Sequence, residues 1–485
     1  MRVRCLGGSC LALLLSVVAL GAQSRGMQLP DAAMKGDVKV VRSLLDQKAD
    51  VNAQQADGMT ALHWAVQRDD LEMVDILIRA GADAKAVNRT GATAMYLACT
   101  NGNAAIIEKL LAAGVDANGP ITAEKETPLM LAAFTGNVNA VKTLLDHGAE
   151  INAQQARGQT ALMWAASESH ASVVKFLVDR GADVKATSVA ANPGKKMTAL
   201  LFSARQGDLA SAKILVEGGA NVDDAMADGT TAMLLAILNG HHQLATYLLE
   251  KGANPNLTDG SGRPPLFAAI EMRNPQWAEV PWPDADMDDL DLIKILLAKG
   301  ADPNLKLRRK AAHRAFLDAR WSDLIGGTAF LRATQTGDIT VMRLLLSYGA
   351  DPNVITSTKE SALSLASGVG WPLGQGYMRS EAEIRQAFDL CLALGMDVNL
   401  ANVDGVTPLM GAAHKGDNVT VQYLVNNGAK LDAKDTEGRT ALVWAEGVFG
   451  KSGLGIQPPR RQPHTIALLQ QLMSVSSASN TVPHQ

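Results

Sequence analysis

The sequence predicts an all-α chain assembled as a stack of short helix pairs. Three observations carry that expectation. A tetrapeptide opening mostly on Thr recurs along the chain with a modal spacing of 33 residues. A Gly-Ala-Asp-like marker recurs in phase with it. Apolar residues make up 47% of the 485 residues while aromatics make up only 4%. That balance suits Ala- and Leu-rich helices stacked closely, and the chain is too long for one ordinary compact core.

The first helix of each unit opens at Thr60-Ala61-Leu62-His63, Thr93-Ala94-Met95-Tyr96, Thr127-Pro128-Leu129-Met130 and Thr160-Ala161-Leu162-Met163. Later copies start at Thr198, Thr231, Pro264, Thr328, Ser361, Thr407 and Thr440. Thr suits an N-cap because its hydroxyl accepts from a free amide of the first turn. Ala or Pro follows at the first helical position, where a missing amide costs nothing. This helix is predicted to stop at a Gly before Asp or Asn, as in Gly36-Asp37, Gly136-Asn137, Gly207-Asp208, Gly337-Asp338 and Gly416-Asp417. Gly takes the left-handed cap and the polar residue caps the next helix.

The second helix carries Leu pairs such as Leu110-Leu111, Leu144-Leu145 and Leu344-Leu345. It is predicted to end at the Gly of Gly81-Ala82-Asp83, Gly181-Ala182-Asp183, Gly300-Ala301-Asp302 and their counterparts. An Asp-x-Asn stretch follows, as in Asp50-Val51-Asn52 and Asp397-Val398-Asn399. A tight turn then forms at Asp57-Gly58, Asp228-Gly229 or Asp404-Gly405. One unit is therefore helix, turn, helix and an extended loop.

This pattern resembles the ankyrin repeat. The family's Thr-Pro-Leu-His-x-Ala motif is most complete at Thr60–Ala65, with Ala61 in place of Pro, and its turn stands at Asp57-Gly58. The likeness covers about residues 30 to 472 and implies an α-solenoid of about twelve helix-turn-helix units. Its first helices and loop fingers would form a concave face. The resemblance also implies protein recognition, and makes His63 a structural residue that hydrogen-bonds between units. A lone helix pair cannot bury its apolar face, so each unit depends on its neighbours.

Both ends depart from the pattern. Residues 1–22 have the form of a secretory signal: Arg2 and Arg4, an apolar core from Cys10 to Leu20, then Gly21 and Ala22. Its removal takes the formal charge from −4 to −6. The apolar core is too short for a retained membrane span. The expected location is the periplasm or the cell exterior. Lys48 replaces the expected Gly in the first unit, and residues 447–463 separate the helices of the last. The Ser-rich tail, 474–485, is expected to be disordered.

Three consecutive units carry insertions, at 271–287, 305–326 and 368–382. Four of the seven Trp lie in them: Trp277, Trp282, Trp321 and Trp371. Arg308, Arg309, Arg314, Tyr377 and Arg379 accompany them. Trp, Tyr and Arg dominate interface hot spots, so these nine residues are the candidate partner site. A private core of inserted Trp is the competing reading; the two combine in one protruding subdomain. Trp64, Trp164 and Trp444 share one first-helix position and are expected in the core.

Other chemistry is sparse. Asp284, Asp286 and Asp288 have calcium-loop spacing, but Asp289 and Ile295 stand where such a loop needs Gly and Glu, so an acidic helix start is expected. Cys99 and Cys391 fall inside helical patterns as small apolar residues. No zinc spacing, phosphate loop or nucleophile–base pairing is present, and no strongly basic domain suited to nucleic acid. The expectation is a monomeric, non-catalytic scaffold for a protein partner, without cofactor or metal. A carbohydrate-binding protein and an enzyme with a site among the insertions are the alternatives.

Overall fold

The computed structural model describes residues 29–188, 196–273, 285–309, 324–369, 380–447 and 461–479. These residues hold twenty-four helices, and their only β-structure is two isolated bridges, Gln54 to Thr60 and Val87 to Thr93. The helices fall into two compact units, one ending at Ala227 and the other beginning at Asp228.

The first unit contains α1 (29–35), α2 (Val38–Asp46), α3 (Ala61–Gln67), α4 (Leu71–Arg79), α5 (Ala94–Asn101) and α6 (Ala104–Ala112). It continues with α7 (Pro128–Phe134), α8 (Val138–Asp146), α9 (Ala161–Ser167), α10 (Ala171–Asp179), α11 (Ala199–Gln206) and α12 (Leu209–Glu217). The second contains α13 (Ala232–Leu238), α14 (His242–Glu250), α15 (Pro265–Arg273), α16 (Asp289–Ala298), α17 (Ala329–Gln335) and α18 (Ile339–Ser347). It ends with α19 (Ala362–Ala366), α20 (Glu381–Ala393), α21 (Pro408–Lys415), α22 (Asn418–Asn426), α23 (Ala441–Ala445) and α24 (Pro463–Ser479). Taken in pairs these are the twelve helix-turn-helix repeats the sequence predicts.

The helix ends follow the expected chemistry. The hydroxyls of Thr60, Thr93, Thr127, Thr160, Thr198, Thr231 and Thr407 each accept the third backbone N–H of their helix. Each cap is worth about 1 kcal/mol. Asp37, Asp70, Asn103, Asn137, Asp208, Asp338 and Asp417 cap the second helices in the same way. Gly81, Gly148, Gly181, Gly252, Gly300, Gly349 and Gly428 end second helices, all at positive φ. Lys48 adopts the same backbone, at φ 60°, without glycine's freedom.

Within each unit, first helices pack on neighbouring first helices and second on second. Small and aliphatic residues fill the joints, among them Leu62, Ala65, Val74, Leu77, Met95, Ala98, Ile107 and Leu110, all with at most 1% exposure. The Asp-x-Asn stretch supplies a polar clasp besides. Asn52 donates to Gly81 O and accepts from Asp83 N. Asn118 does the same to Gly148 and Glu150, Asn256 to Gly300 and Asp302, Asn304 to Gly349 and Asp351, and Asn399 to Gly428 and Lys430. Each clasp satisfies the carbonyl and amide left over by a glycine helix end.

Some boundaries differ from the sequence expectation. Residues 271–273, assigned to the first insertion, continue α15, and residues 381–382, assigned to the third, begin α20. The second insertion leaves the fold through a stem: Leu307 N donates to Gly327 O and Gly326 N to Leu307 O. The tail, expected to be disordered from residue 474, instead continues α24 to Ser479. Residues 463–479 contain neither Gly nor an internal Pro to stop the helix, and Ser474 Oγ donates to Gln471 O.

Candidate functional site

The open face of the first unit is built by the first helices. Their shared fifth position, counted from the capping Thr, carries Trp64, Leu97, Leu131 and Trp164, all half-buried. Because α3, α5, α7 and α9 pack successively, these side chains form a row. Phe134, one turn further along α7, is 42% exposed and meets Trp164 edge-on at 5.6 Å. Phe202 extends the row on α11, largely buried, with the Arg205 guanidinium 5.1 Å from its ring centroid.

The same positions in the second unit are closed on α15, α17, α19, α21 and α23, whereas Leu235 on α13 is half-buried. Ala268, Arg332, Leu365 and Trp444 have at most 2% exposure. Gly411 shows how tight the cover is: a Cβ there would lie 2.7 Å from Val369 Cγ2 and 2.9 Å from Val369 N. Charged groups occupy this covered face. Arg263 lies between Asp259 at 3.0 Å and Glu271 at 3.2 Å, all three side chains below 10% exposure. Arg332 donates to Gln335 Oε1.

The three first-helix Trp therefore divide. Trp444 lies in the core as expected, its indole donating to Asp435 Oδ2 at 2.9 Å. Trp64 and Trp164 do not reach the core; they keep one flank on the open face. The Trp64 indole donates to Gln55 Oε1 at 2.7 Å. Trp164 Nε1 has no hydrogen-bond partner among the described residues, because the Gln155 amide turns to Gln159. These two Trp were missed as surface residues. The signal was the uncharged run Leu97, Thr100, Leu131 and Phe134 between them.

Of the nine candidate partner residues, Trp277, Trp282, Arg314, Trp321, Trp371, Tyr377 and Arg379 lie outside the described residues. Arg308 and Arg309 are described, and both are exposed. Their backbone amides donate to Ser261 O at 2.7 and 3.0 Å, and the Arg309 guanidinium donates to Gly260 O. The pair is thus fastened to the preceding finger with both side chains at the surface.

His63 occupies the place the family resemblance implies. Thr60 N donates to its Nδ1, and Nε2 donates to Ala92 O of the next repeat at 3.2 Å. Burial lowers its pKa, which keeps the ring neutral for this double role. Burial also brings His414 down to about 4 and Lys415 to about 7, and pushes Cys391 up to about 12. A crevice of about 20 Å³ between α20 and α22, lined by Ile384, Phe388, Asp417 and Tyr423, has room for one water. Among the described residues no three His, Cys, Asp or Glu are grouped to hold a metal ion, and no helix is long and apolar enough to cross a membrane.

Comparison with known proteins agrees with the geometry. The family model described as ankyrin repeats (3 copies) matches residues 29–121, 114–188, 189–259 and 382–447. Among solved structures, the human ASB11 ankyrin repeat domain is 26% identical, over 47% of this chain and 98% of that one, with a TM-score of 0.41. With its capped helix pairs, glycine ends and more than half of its length matched, the chain belongs to the ankyrin-repeat family.

Proposed function

We propose that this protein is a non-catalytic scaffold of the periplasm or cell exterior. It would bind a protein partner through the open first-helix face of its first unit. One observation carries the reading: Trp64, Leu97, Leu131, Phe134 and Trp164 keep apolar surface accessible on adjacent helices, while the equivalent positions from α15 to α23 in the second unit are buried. Single exposed apolar residues are ordinary, but an aligned row containing two Trp has hot-spot composition. The exposed Arg308 and Arg309 at the stem of the second insertion provide a second point of contact. The signal-like residues 1–22 support the location, and the scaffold is read as a monomer.

The test is crosslinking capture from the native envelope fraction. Trp64→Ala with Trp164→Ala should weaken capture by about 30-fold or more, corresponding to about 2 kcal/mol, with helical content unchanged. Wild-type capture by this double variant would reject the face. Deleting residues 305–326, or Arg309→Ala, separately tests the insertion. A second reading, carbohydrate binding, is favoured by the edge-on pair of Phe134 and Trp164. Glycan-array binding without protein capture would select it.

A further inference from the structure

The end of the first insertion is fastened to a neighbouring helix that lacks a cap of its own. Helix α14 has His241 at its N-cap, whose side chain makes no capping bond, where most second helices have Asp or Asn. Asp286 supplies the cap from the strap of residues 285–289. Its Oδ1 accepts Gln243 N at 2.9 Å, its carbonyl accepts Gln243 Nε2 at 2.9 Å, and its amide donates to Gly240 O at 3.2 Å. Next along the strap, Met287 O lies 3.1 Å from His242 Nδ1. A carbonyl only accepts, so Nδ1 carries the hydrogen, and the neutral ring leaves Nε2 bare.

Nε2 faces Asp289 Oδ1 at 3.5 Å. The His242 side chain has 0% exposure, and neither facing atom has a hydrogen-bond partner among the described residues. A bare ring nitrogen and a carboxylate repel; one proton between them turns repulsion into attraction, and the protein interior magnifies both. Few charges compete. Arg273 of α15 is held by Asp338 at 2.9 Å and stands 3.9 Å from Asp288. Asp291 is paired to Lys294 at the surface, His241 adjoins the site on α14, and α13 carries no charge. Burial raises the Asp289 carboxyl above its ordinary range, against the pull of His242 and Arg273.

We propose that residues 285–289 form a proton-operated fastening: one proton held between His242 and Asp289 keeps the strap closed on α14, and losing it as pH rises releases the strap. A proton bound more tightly in the closed state favours closure at low pH, and that advantage disappears as the pH climbs through the closed-state titration. The link is to the first insertion, whose far end the strap anchors.

Hydrogen exchange of the Gln243 and Asp286 amides in the full-length protein tests this, with the self-capped Ala140 amide of α8 as an internal reference. After correction for intrinsic exchange, protection of Gln243 should fall as the pH is raised, by up to about tenfold per pH unit, the limit for one linked proton. Ala140 should not change. Asp289→Asn offers Nε2 an N–H at every pH and should hold protection constant. Constant protection in the wild-type chain, or an equal slope in Asp289→Asn or at Ala140, would overturn the proposal. The wild-type profile decides the matter even if the variant folds poorly.

Discussion

The side-chain amide of Asn118 donates to the carbonyl of Gly148 at 2.9 Å, thirty residues along the chain. Its oxygen accepts Glu150 N at 2.7 Å, so one side chain closes both backbone groups left open by the glycine end of α8. Asn118→Asp keeps the acceptor but turns a carboxylate toward a carbonyl. It should cost about 1 kcal/mol in urea unfolding, the net worth of a partly exposed hydrogen bond. The converse change should stabilise. Lys85 occupies the clasp position before Gly114, whose φ of 86° matches the 90° of the clasped Gly81. Lys85→Asn should recover about 1 kcal/mol; an unchanged urea midpoint would show that the clasp is geometry without energy.

How much of this was legible in the sequence depends on the range of the interaction. Caps and glycine ends are local, so Thr60, Gly102 and Asp208 announce themselves within a few residues. The His63 bond to Ala92 came from the family motif. The clasps were visible as a recurring Asn, but their partners stand 29 to 47 residues away and only stacking brings them together. The open row was hidden for a different reason. Trp64, Trp164 and Trp444 share the frame Thr-Ala-Leu-x-Trp-Ala, and what separates them is whether other chain covers the first helices. Val369 reaches Gly411, and nothing local to Gly411 announces it. The His242 and Asp289 pair likewise joins two helices 47 residues apart in sequence, on either side of the first insertion.

Lys48 stands where other second helices end in Gly, at φ 60°. A non-glycine residue in that region costs about 1–2 kcal/mol, and the exposed Lys48 side chain has no described contact to offset it. Lys48→Gly should therefore raise stability by about 0.5–1 kcal/mol after the extra unfolded-state freedom of glycine is subtracted. Thermal unfolding checks the sign. Ser169 at φ 62° offers the same test where the first helices end.

Asp435 accepts from the Trp444 indole at 2.9 Å, from Arg439 Nε at 2.7 Å, and from the backbone amides of Glu437 and Arg439. Burial alone would raise its pKa, but these donors outweigh burial and hold the carboxyl below its ordinary 3.8. The folded chain therefore binds this proton less readily than the unfolded chain. The stabilisation is complete above the unfolded value and is lost as pH falls through the folded one. Asp435→Ala should cost about 2 kcal/mol at pH 7, because it removes a buried carboxylate that accepts from the indole, from Arg439 Nε and from two backbone amides. At pH 2 the gap between variant and wild type should narrow; a constant gap would mean that packing, not charge, dominates.

His414 sets the acid limit of the second unit at higher pH. It is 5% exposed on α21, edge-on to Trp444 at 5.6 Å, and burial brings its pKa from 6.5 to about 4. The unfolded chain takes up this proton first. Stability is therefore complete above pH 6.5 and falls as the pH drops toward the folded value, where the loss levels off. The full difference corresponds to roughly 3 kcal/mol. Urea titrations at pH 7.5, 6, 5 and 4 should show the decline in wild type, and His414→Gln should flatten it over the same range at some cost in packing. A wild-type midpoint independent of pH across that interval would place the proton elsewhere. Because Asp435 loses its proton below His414, the two residues separate on the pH axis, and the variants should remove different segments of the acid limb.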